Sequence, residues 1–174
     1  MKNLIKPIVV LTLIALLCTA SLAGVNMLTK TIIEKSEAEK ITATMNELIK
    51  DDKGFEKIEL STEELSKHSA NALYKSNSGK GYIADVTASG YAGEINVMVA
   101  FDETLKISGV KVLSHEETKG VGTRVIESDS FFEQFTKKDI SKEQKADVIS
   151  GASVTSKAVI SAVNSAVALV NGKE

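Results

Sequence analysis

The run Asp147-Val148-Ile149-Ser150-Gly151-Ala152-Ser153-Val154-Thr155-Ser156 places hydroxyl side chains and a glycine directly ahead of an apolar, periodic segment. If that segment is a helix, the N–H groups of its first turn have no partner inside it, and its dipole favours an anion there. A turn of this kind can hold a phosphate, and Gly151 lets the backbone come close to it. The same residues also read as an ordinary helix cap, since Ser and Thr are common at that place. A second run, Ser114-His115-Glu116-Glu117-Thr118-Lys119-Gly120-Val121-Gly122, reads as a glycine-containing loop after a strand. Its plain alternative is a solvated surface loop. A third, Gly90-Tyr91-Ala92-Gly93, is the tip of a hairpin.

Other chemistries find little support. Glu116 and Glu117 are adjacent, so in extended chain they point opposite ways and make a poor carboxylate pair. No Ser/His/Asp constellation stands out. The single cysteine, Cys18, lies in an apolar run and permits no disulfide within one chain. His68 and His115 are far apart and match no metal-ligand spacing. The formal charge of −2 and the absence of Trp leave neither a basic surface nor an aromatic platform for nucleic acid.

The elements that would position these runs follow from periodicity. Ala158, Ala162, Ala166 and Leu169/Val170, widened by Val159, Val163 and Val167, predict a helix over Thr155–Val170. Three antiparallel strands are expected. Tyr82 to Ala88 alternates with period two, Ile95 to Phe101 forms one face of a second strand, and Lys106 to Ser114 the third. Asp102 to Leu105 supplies a turn, and Ser130 to Thr136 a short amphipathic turn or helix with Phe131, Phe132 and Phe135. Ser61, with Glu64 three residues on, predicts a capped helix over Ser61–Ala72. Thr29 to about Lys50 reads as helix, interrupted in its apolar stripe by Glu34–Glu37 and ended by Asp51-Asp52-Lys53-Gly54.

Pro7–Leu28 holds no charged residue and is long enough to cross a ~30 Å hydrocarbon layer. Lys2 and Lys6 precede it, which predicts a cytoplasmic N-terminus with the remainder outside. A cleaved signal peptide competes, because Ser21-Leu22-Ala23 has small residues where signal peptidase reads. A lipoprotein is disfavoured by Leu17 ahead of Cys18. Hydrophobic content of 43% with 25% charged residues, over 174 residues, fits one globular domain plus a small appendage.

Asp147-x-x-Ser150-Gly151-Ala152-Ser153 resembles the flavinylation motif of the FMN-binding domain family. That family includes the G subunit of the Rnf ion-translocating electron transport complex and the C subunit of the sodium-translocating NADH:quinone reductase. The loop from His115 to Gly122 is similar to the family's His-x-Glu-Thr-Pro-Gly-Leu-Gly loop, with Lys119 for Pro and Val121 for Leu. Gly90-Tyr91-Ala92-Gly93 resembles its Gly-Tyr-Gly-Gly turn. The resemblance covers nearly the whole chain, and its length suits the G subunit.

The resemblance implies an α+β fold: a transmembrane helix, then a small domain with an antiparallel sheet and flanking helices. Expected divisions are 1–28 for the N-terminus and anchor, 29–75 for a helical stalk and lead-in, and 76–174 for the FMN-binding domain. It also implies FMN joined by a phosphoester to Ser153, where the family more often has Thr. Thr155 is the alternative acceptor; only Ser153 has the motif's spacing. Ser150, Gly151 and Ala152 would complete the site, and Glu117, Thr118, Gly120 and Gly122 would lie against the flavin. Asp147 would be read by a flavin transferase that uses FAD and Mg. The other expected partners are the membrane and the remaining subunits of an electron transport complex; the chain would not be catalytic alone. A stand-alone anchored flavoprotein and a non-redox surface module are the competing functions.

Overall fold

Residues Tyr82 to Phe101 alternate with period two on either side of a turn, and the computed structural model, which describes residues 2–172, buries both faces of the two strands they form over residues 83–86 and 97–101. Met1, Lys173 and Glu174, and the side chains of residues 2–5 with the charge assigned to Lys2, lie outside the described residues. The chain forms two compact units, Met1–Ile41 and Thr42–Glu174.

The first unit is the greater part of helix α1 (Lys2–Leu48). Its apolar window from Lys6 onward is long enough to cross a membrane and is entirely exposed. Three of its hydroxyls are satisfied internally: those of Thr12, Thr19 and Thr29 donate to the carbonyls of Ile8, Ala15 and Val25 at 2.9, 2.7 and 2.6 Å. An apolar solvent requires such pairing. Helical hydrogen bonding runs unbroken through Glu34–Glu37, where the apolar stripe is interrupted, because backbone pairing does not need an apolar face.

The second unit is built on a five-stranded antiparallel sheet in the order β1-β2-β3-β4-β5. The strands are β1 (Phe55–Ile58), β2 (Ala70–Ser76), β3 (Tyr82–Ser89), β4 (Glu94–Phe101) and β5 (Ile107–His115). Between β1 and β2 lies α2 (Thr62–Lys67); after β5 come α3 (Thr123–Ile126), α4 (Asp129–Glu133) and the long α5 (Ser153–Asn171). The α+β class and the antiparallel sheet match the sequence expectation. Three details differ. The sheet has two more strands than the expected three. The helix at Ser61 ends at Lys67 instead of Ala72, because Ser69 takes a left-handed φ of +49° and Ala70 onward pairs with β3. Helix α5 begins at Ser153, two residues before Thr155.

The α5 stripe of Ala158, Ala162 and Ala166 faces the sheet, and its small side chains admit a close approach to β3. Val159, Val163 and Val167 interleave with Leu73, Ala84, Val86, Val97, Val99 and Phe101. Phe131 meets Phe135 edge-on with ring centroids 5.6 Å apart, closing one end of this core. The last turn of α1 buries Met45, rests Leu48 beside Gly109 of β5 and pairs Glu47 with Lys111, and Ile49 just beyond it is buried too. The turn between β2 and β3 caps that helix end: Lys80 Nζ donates to the carbonyls of Lys50 and Asp51 at 2.7 and 2.9 Å.

Candidate functional site

At the end of β5, the His115 imidazole Nδ1 accepts from the Glu117 amide at 3.2 Å. The Glu117 side chain then turns inward and is only 7% exposed. Its Oε1 accepts from the amide of Tyr91 at 2.6 Å and its Oε2 from the hydroxyl of Thr155 at 3.1 Å. One carboxylate therefore ties together the β3–β4 tip, the loop after β5 and the first turn of α5. Two glycines make room for it. A Cβ on Gly90 would lie 1.9 Å from Oε1, and one on Gly122 would lie 2.0 Å from Oε2. The Thr118 carbonyl accepts from the amides of Val121 and Gly122, both at 3.1 Å, and closes the loop. Gly120 adopts φ +77° within it, a conformation that glycine takes without strain.

The start of α5 is equally defined. Ala152 occupies the cap position, and no side chain accepts from the amides of the first turn. Instead the buried Ser156 hydroxyl donates to the Ala152 carbonyl at 3.0 Å and accepts from the Ile149 amide at 3.1 Å. Gly151 turns the chain with φ +81°. Arg124, the only arginine in the sequence, reaches across to donate to the Ser150 carbonyl at 3.3 Å. Ser153 is exposed at the helix mouth, whereas Thr155 is 1% exposed with its hydroxyl engaged by Glu117.

A cavity of about 680 Å³ opens between these pieces, lined by Tyr91, Thr118, Val121 and the stretch Gly151–Thr155. Of the residues singled out from sequence, Gly151, Ala152, Ser153, Thr155 and Thr118 meet on its wall. Glu117 does not; it braces the wall from behind, with Gly122 packed on it. Gly120 and Ser150 shape adjoining turns, and Asp147 is exposed upstream with its amide donating to Gln134 Oε1 at 2.8 Å. Tyr91, Val121 and Val154, which supply the apolar side, escaped the sequence reading as site residues, as did Arg124. The signal for Tyr91 was its place between two glycines at a hairpin tip. No cluster of His, Cys, Asp and Glu suited to a metal occurs among the described residues.

Two family models match the chain: the FMN-binding domain over residues 90–168 and the RnfG N-terminal region over residues 1–48. The G subunit of the ion-translocating oxidoreductase complex of Pasteurella multocida is 31% identical, across 89% of this chain and 87% of that protein. The G subunit of the proton-translocating ferredoxin:NAD(+) oxidoreductase complex of Clostridium ljungdahlii is 28% identical, across 90% of this chain and 86% of that protein. Among solved structures, NqrC of Shewanella oneidensis aligns with a TM-score of 0.46 at 22% identity, over 53% of each chain. The 90–168 match contains every element of the cavity described above, and the alignment with the Pasteurella protein runs nearly end to end. On these grounds the chain belongs to the family of G subunits of ion-translocating oxidoreductase complexes.

Proposed function

We propose that this chain carries FMN esterified to Ser153 and relays electrons as the G subunit of a membrane-bound ion-translocating oxidoreductase complex. The observation that carries the reading is Ser153 itself: an exposed hydroxyl opening an uncapped helix beside a cavity of about 680 Å³. Small-molecule and cofactor sites run to roughly 300–1,000 Å³. The residues fit the group at both ends. Unclaimed first-turn amides and the helix dipole suit a phosphate. Val121 and Val154 suit a planar apolar ring. Thr155 is the weaker acceptor, because its hydroxyl is buried and already donates to Glu117.

The ester would be installed by a separate flavin transferase with FAD as donor and Mg as its cofactor. The Ser153 Oγ–P bond forms as the pyrophosphate P–O bond of FAD breaks. AMP leaves, and the hydroxyl proton passes to a base on the transferase. Exposed Asp147 is the acid that enzyme would read. Bound FMN supplies one- or two-electron exchange. The chain's own residues hold the phosphate at the α5 mouth, keep water from the ring with Val121 and Val154, and brace both walls through Glu117. Helix α1 would anchor the domain, with Lys6 on the cytoplasmic side and the FMN outside.

Co-expression with a flavin transferase, followed by denaturing gel fluorescence and intact mass, tests this. The parent chain and Ser153→Thr should fluoresce and carry the added mass of FMN. Ser153→Ala should be dark, Thr155→Ala should stay labelled, and Asp147→Ala should label less. Equal fluorescence in Ser153→Ala would overturn the assignment.

A further inference from the structure

We infer that Tyr91 is the aromatic wall of the flavin site, its ring packing on the isoalloxazine of the nucleotide held at Ser153. The inference rests on the reading above and names a residue that reading does not require.

Every other aromatic side chain among the described residues is occupied. Phe101, Phe131 and Phe135 are fully buried, and Phe55, Tyr74, Tyr82 and Phe132 are partly so. Tyr91 alone is open, at 66% exposure, and it lies on the cavity wall. Hairpin tips with exposed side chains are usually mobile. This one is fixed three times over. The Gly90 amide donates to the Gly93 carbonyl at 2.8 Å and closes the turn. The Tyr91 amide donates to buried Glu117 at 2.6 Å. Gly93 sits so close to Glu116 that a Cβ there would lie 2.3 Å from its Oε2.

The bond from Thr155 to the same Glu117 sets the Tyr91 backbone in fixed register with the helix mouth. A large, mostly uncovered aromatic side chain thus springs from a fixed backbone and lines the same cavity as the exposed Ser153 hydroxyl. The cavity's lining combines Ser153, beside the free amides of the helix start, with the apolar surfaces of Tyr91, Val121 and Val154. That combination suits a ligand that joins a phosphate to a planar ring. Aromatic pairs gain from offset stacking beyond the area they bury.

Flavin fluorescence separates this inference from the covalent link. In the labelled full-length chain in mild detergent, ring packing quenches the flavin, so fluorescence rises on denaturation. The ratio of native to denatured fluorescence, taken per chain, is independent of how much flavin was loaded. It should increase several-fold in Tyr91→Leu. Tyr91→Phe keeps a ring and should retain the visible-region circular dichroism of the bound flavin, which Tyr91→Leu should lose. A labelled Tyr91→Leu chain with the parent's ratio and dichroism would overturn the inference while leaving the ester at Ser153 standing. A parent chain that carries no flavin would overturn both.

Discussion

Glu117 shows how much one side chain can organise when its two oxygens are spent on different segments. Its partners Tyr91 and Thr155 lie 26 and 38 residues away in sequence. Resemblance to a family loop drew attention to Glu117, but nothing local to it discloses those partners, nor that it faces inward. The turn that leads into α5 is legible for the opposite reason, because it and the helix it opens are contiguous in sequence. The glycines against Glu117 give a direct test. Gly122 has an ordinary helical φ of −68°, so alanine there meets no backbone strain. Its Cβ would nevertheless lie 2.0 Å from Oε2 and 2.7 Å from the Glu117 Cβ, too near the backbone for a simple swing of the carboxylate. Gly122→Ala should destabilise the chain by roughly 1–3 kcal/mol. Removing the whole obstacle, Cβ included, with Glu117→Gly should make the double variant less damaged than the two single losses combined. Additive losses in denaturant unfolding would show that the two residues are not coupled.

Elements divide into those whose signals are local and those that need a partner. Helix α5 announces itself through its alanine and valine stripe. Helix α2 does so through a capping box, and both halves of that box are present: Ser61 Oγ accepts from the Glu64 amide at 3.2 Å, and Glu64 Oε2 accepts from the Ser61 amide at 3.0 Å. Ser61→Ala should cost about 0.5–2 kcal/mol, seen as faster amide exchange across Thr62–Lys67 with little change in α5; uniform loss of protection would count against a local cap. Strands β1 and β2 are the contrast. Residues Ala70–Ser76 have no clean alternation, and β1 spans only Phe55–Ile58. β2 takes the edge that β3 offers, and β1 in turn takes the edge of β2, a tertiary influence that overrides weak local preference.

Across the whole molecule the response to pH is divided between opposing carboxylates. Burial pushes the Asp85 carboxyl above its ordinary 3.8, against the pull of hydrogen bonds from Asn71 and Asn96 and the charge of Lys57. The folded chain therefore keeps that proton to a higher pH than the unfolded chain. Stability from this group is fullest below 3.8 and declines as pH rises through the folded value. Asp85→Asn should raise the melting temperature, and the gain should be larger near pH ~7.5 than near pH ~4. A gain that is the same at both, measured on the full chain in detergent, would remove Asp85 from the account. Asp52 and Asp102 act the other way. Burial opposes ionisation in each, but hydrogen bonds from Ser76 and Gly54, and from Lys106 and Thr104, outweigh it. Their contribution is present above the ordinary value and fades only as pH falls below 3.8, outside the window in which Asp85 operates. The alanine at the cap of α5 carries a last implication. Alanine ranks among the poorest residues for that position, so the helix starts life unfinished, and an esterified phosphate would complete it from outside the sequence. If Ser153 carries the ester, proteases should cut an unloaded chain within residues 145–151 faster than a loaded one, and equal cleavage would show that the phosphate adds nothing to the helix start.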